Sequence, residues 1–151
     1  MTLRIERSEE FWTSIISHPS VNDSLGMTVD EFLNCVAHPQ VTPYASENGG
    51  WLLIDLGIGL IAEFHGVFTE TGRGLEAFKT GCELANIIFS KHDMAITYQT
   101  NNPCSRPPLS FGFQKENTWR STPKGDMRLW FLTKTRWESS PAYRRTIKCP
   151  L

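Results

Sequence analysis

Among the 151 residues there are only four cysteines, with no Cys-x-x-Cys and no paired His-x-x-x-His, which excludes the common zinc and thioredoxin-like motifs. Cys35, Cys82, Cys104 and Cys149 are widely spaced and read as reduced, mostly buried thiols. His18, His38, His65 and His92 show no ligand spacing on a helix, so no metal is expected. Low-complexity tracts and internal repeats are lacking, which excludes a disordered chain and a solenoid. Neither sign of charge is in excess: the net charge is -1 and the pI about 6.4, which argues against nucleic acid as a partner. The longest apolar run, Trp51 to Phe68, is interrupted by Asp55, Glu63, His65 and three glycines, so no membrane span is expected. The opening MTLRIERSEE lacks the apolar core of a secretion signal, and a cytoplasmic location is the expectation.

What remains is an ordinary globular composition, 40% hydrophobic and 21% charged. A chain of this length is one domain's worth and buries roughly 68 to 70% of its unfolded surface. TLRIERS alternates like a short strand, and Ser8 followed by Glu9 and Glu10 starts a helix that should end near His18-Pro19. Thr28 and Glu31 have capping-box spacing, and Phe32, Leu33, Val36 and Ala37 make the apolar stripe of a second helix. TPYASENGG reads as turn. WLLIDL and IGLIAEFHGVF read as two strands joined near Gly57. Leu75, Phe78, Cys82, Ala85, Ile88 and Phe89 recur at spacings of three and four, which predicts a long amphipathic helix. MAITYQT is a strand, NNPCSRPPLSFGF a loop with a broken helix, and QKENTWRS and MRLWFLTKTRW flank TPKGD as a closing hairpin.

The stretch TETGRGLEAF, residues 69 to 78, links a strand to the long helix, and strand, glycine turn, helix and strand together make a βαβ unit. Such a turn points backbone N–H groups at the helix N-terminus, where a phosphate is favoured. Arg73 reads either as a phosphate contact or as a solvated turn residue. Glu63 and His65 share one face of their strand, because strand side chains alternate. Each has a functional reading as a proton acceptor and a bland one, Glu63 as a solvent-facing hairpin residue and His65 as a structural histidine.

This order of elements resembles the GNAT superfamily of acyl-CoA-dependent N-acetyltransferases. Two local matches carry the resemblance. Val67-Phe68-Thr69-Glu70-Thr71-Gly72-Arg73-Gly74 resembles the family's strand end and pyrophosphate turn, and Asn101 with Gly112-Phe113 has the family's spacing after the following strand. The resemblance spans roughly residues 50 to 135 and implies an α/β, GNAT-like fold, with a mixed, mainly antiparallel sheet flanked by helices and splayed near the glycine turn. It implies acetyl-CoA as cosubstrate, held by Val67, Thr69, Gly72, Arg73, Gly74, Leu75, Asn101 and Ser105, and an unidentified small-molecule or protein amine as acceptor. Glu63 takes the position of the family's proton-draining glutamate, with His65 as a paired or substitute base; Tyr98 reads either as a replacement acid or as a half-buried aromatic on a sheet face, and Asn101 either as a contact to the pantetheine arm or as a cap of the Pro103 turn.

The chain departs from the family pattern at several positions. Thr69 stands for the strand-end proline and Thr71 for the arginine or glutamine. Glu76 stands for a small residue, where a carboxylate aimed at pyrophosphate would repel it. Pro108 lies where many members place a proton-giving tyrosine. The Gly-Arg-Gly-x-Glu-Ala wording is similar to GNAT-like proteins of tailed bacteriophages, which implies an alternative: an inactive GNAT-fold protein of a virion or host cytoplasm, working by assembly. A third reading is a module that binds CoA or another small ligand. Residues 1 to 137 are expected to form the domain, and 138 to 151 an exposed tail or docking segment, because no period is evident after Trp137. Trp119, Trp130 and Trp137 beside Arg144-Arg145 read either as an interface for a homodimer or virion partner, or as core residues.

Overall fold

The computed structural model describes residues 2–23, 25–56, 60–101 and 105–148. Among these residues, eight strands and six α-helices follow in α/β order. They begin with β1 (Arg4–Ile5), α1 (Glu9–Ile16), α2 (Pro19–Asn22), α3 (Val29–Ala37), β2 (Val41–Ala45), β3 (Gly49–Asp55) and β4 (Ile61–Phe68). They continue with α4 (Leu75–Phe89), β5 (Met94–Gln99), β6 (Gln114–Lys115), β7 (Arg120–Thr122), β8 (Gly125–Thr133), α5 (Lys134–Glu138) and α6 (Pro141–Lys148). The caps are local, as the sequence indicates: Ser8 accepts from the Phe11 amide and Thr28 from the Glu31 amide, each meeting one orphan donor of a first turn. The turn joining β3 and β4 near Gly57 lies outside the described residues.

The strand order is β1-β2-β3-β4-β5-β8-β6, with β7 paired to the start of β8. Every pairing is antiparallel except β4 with β5, the pair that α4 connects. Alternation sends Leu53, Ala62 and Phe64 to one face, where α4, Trp137 and Ala142 cover them. Leu52 and Val67 go to the other face, against Trp12, Ile16, Phe32 and Val36 of α1 and α3. The domain is therefore helix, sheet, helix in section where α1 and α3 lie over Leu52 and Val67.

The strand β2 falls where the sequence reads as turn. Its proline hides it: Pro43 sits opposite Glu6, just past the two residues of β1, and accepts from the Glu6 amide at 2.9 Å. It has no N–H to return, and the Glu6 carbonyl accepts from the Trp12 indole at 2.7 Å instead.

The C-terminal segment is also corrected. Residues 141–148 are helical, Ala142 is fully buried, and Tyr143 packs edge-on against Trp137 with ring centroids 5.6 Å apart. The expected boundary after Trp137 falls inside α5. Trp130 and Trp137 are buried core residues, while Trp119 is 39% exposed. Cys35 is exposed and Cys82 buried, and burial pushes the Cys82 thiol up to about 11, the charge of Arg145 working the other way. Cys104 and Cys149 lie outside the described residues.

Candidate active site

Parallel pairing between β4 and β5 covers Ile61 to Glu63 against Met94 to Ile96 and then stops, although β4 runs on to Phe68 and β5 to Gln99. The two strands therefore part beyond Glu63 and Ile96, and the sheet is open at that point. Glu63 and His65 stand on β4 on the same side as Val67, and Ile96 and Tyr98 on the matching side of β5. All four are half-buried, because α1 and α3 cover the sheet above Leu52 and Val67 and leave this part uncovered.

The three residues singled out for catalysis are brought together. His65 Nε2 lies 3.0 Å from Glu63 Oε1, and the imidazole stacks with the Tyr98 ring at 11° and 6.5 Å between centroids. A carboxylate that accepts from Nε2–H fixes the ring's tautomer and leaves Nδ1 as the proton acceptor.

At the far end of β4, the glycine turn is built from contacts that local sequence does not reveal. The Thr69 amide and hydroxyl both donate to the Asn48 carbonyl, at 3.0 and 3.3 Å. A Cβ on Gly72 would come within 2.8 Å of Asn48 Cβ, so only glycine lets the turn pack against the β2–β3 connection. Arg73 Nη2 donates to the Ser20 carbonyl and the Glu70 amide to Ser20 Oγ, which moors the turn to α2. Gly74 has φ +89° and begins α4 with no side-chain cap. A Cβ there would meet nothing within 4 Å, and Leu75 beside it is 68% exposed. The approach to the first-turn amides is open, which fits a phosphate-bearing ligand.

Glu76 does not point at that approach, which corrects the repulsion expected from its position. It is 7% exposed, and its carboxylate accepts from Ser46 Oγ at 2.6 Å, the Asn48 amide at 2.8 Å and Asn48 Nδ2 at 2.9 Å. Burial works to raise its pKa, but these bonds, with one from the Glu47 backbone, outweigh it and hold the carboxyl below the ordinary range. A folded-state pKa below the unfolded one gives stability that is present above the ordinary 4.5 and lost as pH falls through the lower folded value. Glu76→Gln turns an amide toward groups that donate, and is expected to cost about 1–3 kcal/mol at neutral pH. In thermal denaturation the gap between wild type and variant should be steady from neutral pH down to the carboxylate range and close in stronger acid.

The remaining expected ligand residues are divided. Val67 is buried in the α1–α3 core, so its side chain serves packing. Ser105 Oγ accepts from the Thr100 amide at 2.9 Å and closes the loop after β5. Asn101 is exposed and lines a cleft of about 420 Å³ with Gln99, Thr100, Arg106 and Trp119. Pro108 precedes a single 3-10 turn, Leu109–Phe111, within the segment whose sequence reads as a loop with a broken helix. Gly112, φ +92°, lies against the Arg136 carbonyl, and Phe113 stacks in the core with Phe111. Among the described residues no group of three or more His, Cys, Asp or Glu could hold a metal, and no helix is long and apolar enough to cross a membrane.

The same fold recurs in solved N-acetyltransferases. An aminoglycoside 6'-acetyltransferase of type Ii superposes with a TM-score of 0.70 at 11% identity, over 88% of this chain and 97% of that one. The aminoglycoside acetyltransferase AAC(6')-Ib in complex with coenzyme A gives 0.68 at 16%, over 91% and 97%. The spermidine N-acetyltransferase of Vibrio cholerae, in complex with CoA and spermine, gives 0.63 at 14%, over 90% and 96%. No family model matches the sequence, and no curated protein matches it. At these identities the likeness establishes the fold: α/β, with a mostly antiparallel mixed sheet flanked by helices, as in the GNAT acetyltransferases.

Proposed function

We propose that the chain is an N-acetyltransferase that moves the acetyl group of acetyl-CoA to the nitrogen of an amine, a small molecule or a protein side chain. The observation that carries this is one arrangement: a Glu63–His65–Tyr98 cluster on the wall of the β4–β5 opening, with the uncapped, approachable N-terminus of α4 at the far end of β4. Bound acetyl-CoA supplies the thioester.

The chain's own residues do the rest. The turn around Gly72, Arg73 and Gly74 and the first amides of α4, at Leu75, receive the pyrophosphate, with Thr69 holding the turn in shape. Asn101, just past β5, receives the pantetheine arm, beside the bond from the Thr100 amide to Ser105 Oγ. His65 Nδ1, oriented by Glu63, takes one proton from the ammonium, and the neutral amine then attacks the carbonyl carbon; as the tetrahedral intermediate collapses the carbon–sulfur bond breaks, and the second proton of the nitrogen passes to solvent, from which the donor to sulfur is replenished. Tyr98 returns a proton to the departing thiolate, a role that Pro108 cannot fill.

A second reading is a GNAT-fold protein that no longer transfers acetyl groups and acts by protein contact, as a homodimer or in a virion. Pro108 favours it, as do the exposed Leu109 and Ile147, at 62% and 64%, the latter beside Arg144, Arg145 and Lys148 on α6. Thiol release from acetyl-CoA, followed across a panel of primary amines, separates the two. Amine-dependent release supports transfer, and its absence with every amine supports the protein-contact reading.

A further inference from the structure

The strand register carries the face of Glu63, His65 and Tyr98 on across the sheet. Glu63 pairs with Ile96, Ile96 with Phe131 and Phe131 with Gln114, one row through β4, β5, β8 and β6. Beside it runs a second row, in which His65 stacks on Tyr98 and Tyr98 pairs with Leu129. Cross-strand partners point to the same side, so Ile96, Leu129 and Phe131 share the side of the Glu63–His65 pair. All three are half-buried and belong to neither hydrophobic core: the α4 core takes Ala95, Trp130 and Leu132 from these strands, and the α1–α3 core reaches no further than Val67 of β4.

Neighbouring strands lie about 4.8 Å apart, so this apolar strip extends about 10 Å from β4 to β8. One end of it is anionic, the Glu63 carboxylate 3.0 Å from His65 Nε2. At the other end Glu116 accepts from Arg120 Nε at 3.1 Å and from the Leu129 amide at 3.4 Å, so its charge is already met. The strip therefore complements one ammonium at the β4 edge with an apolar body lying toward β8, and Glu116 is not left free for a second ammonium.

We propose that Ile96, Leu129 and Phe131 bind the body of the acceptor, so that the amine substrate is a monoamine with an apolar body, such as an aromatic ring on a short arm, and not a polyamine. The assignment rests on the acetyl-transfer reading for the amine's place beside His65, but the strip is tested without turnover. With isoleucine and leucine methyls isotopically labelled for NMR, phenylethylamine is expected to shift the Ile96 and Leu129 methyl resonances saturably, and ethanolamine and spermidine to shift them far less. From ethylamine to hexylamine, affinity should rise about fourfold per buried methylene.

Leu129→Thr and Ile96→Thr keep strand-favouring side chains but remove apolar area, and each should weaken phenylethylamine by about 4- to 16-fold, the worth of one or two methylenes. In transfer assays both variants should raise KM for that amine by a similar factor, with kcat within about threefold and ethanolamine unaffected, because ground-state binding alone is lost. Affinity independent of apolar length, or methyl shifts larger with spermidine, would overturn the proposal. So would a dimer that Leu129→Thr dissociates while no amine moves the methyls, which would assign the strip to a second copy. Methyl shifts lost in both variants, with no amine acetylated, would sustain the apolar amine site and end the transfer reading. Transfer that ignores apolar length would do the reverse.

Discussion

On the proposed acetyl transfer, Glu63→Gln is expected to lower the rate by about 10²- to 10⁴-fold, the usual contribution of a positioned proton acceptor, with little change in affinity for acetyl-CoA. The glutamine retains the size of Glu63 and an oxygen 3.0 Å from His65 Nε2 in the wild-type geometry, so the strand and the stack on Tyr98 persist. What it lacks is the negative charge that, in the proposed mechanism, would steady an imidazolium at His65. His65→Gln should fall to a similar level, and the double variant hardly further, because the two residues act as one unit. Initial rates of thiol release at saturating acetyl-CoA measure this. Two losses that multiply would show that Glu63 and His65 act separately.

Truncation after Trp137 unfolds the protein or lowers its melting temperature by about 10 °C or more. The segment removed carries Ala142, fully buried, Ser140, 3% exposed, and Tyr143, which covers the Trp137 ring. Loss of these contacts opens one side of the core formed by Phe111, Phe113 and Trp137, at an expected cost on the order of 3–5 kcal/mol. Out of a typical total of about 5–15 kcal/mol, this is a large fraction. Thermal denaturation followed by circular dichroism reads the result. A shift below about 3 °C would mean that α6 is a dispensable tail, as its sequence suggests.

The difference between α6 and its sequence shows where local reading stops. Elements with their own signals were legible: the caps at Ser8 and Thr28, the Leu75–Phe89 stripe and the β3–β4 hairpin. The buried side of α6 is only Ala142, Tyr143 and Thr146, too short and weakly apolar to stand out beside Arg144, Arg145 and Lys148. In β2, Pro43 removes the ladder donor that a strand normally needs, and the compensation comes from Trp12. In the site, Glu63 and His65 were legible as a pair because alternation alone places them together. The stack on Tyr98 depends on the β4–β5 register. Glu76 was misread for the same reason: its partners, Ser46 and Asn48, are 30 and 28 residues away in the chain. The cleft of Gln99, Arg106 and Trp119 carries no motif and forms only where the closing hairpin meets the end of β5.

The central claim, that this fold receives an acyl-CoA at the start of α4, is tested most directly by calorimetric titration of wild type and Gly74→Val with acetyl-CoA and with CoA. Valine at φ +89° strains the backbone by about 1–3 kcal/mol and puts a side chain into the open approach. The account predicts one saturable site in the wild type for both ligands, and affinity at least about tenfold weaker in a variant whose circular-dichroism spectrum matches the wild type. No binding by the wild type, or equal affinity in the folded variant, would contradict it.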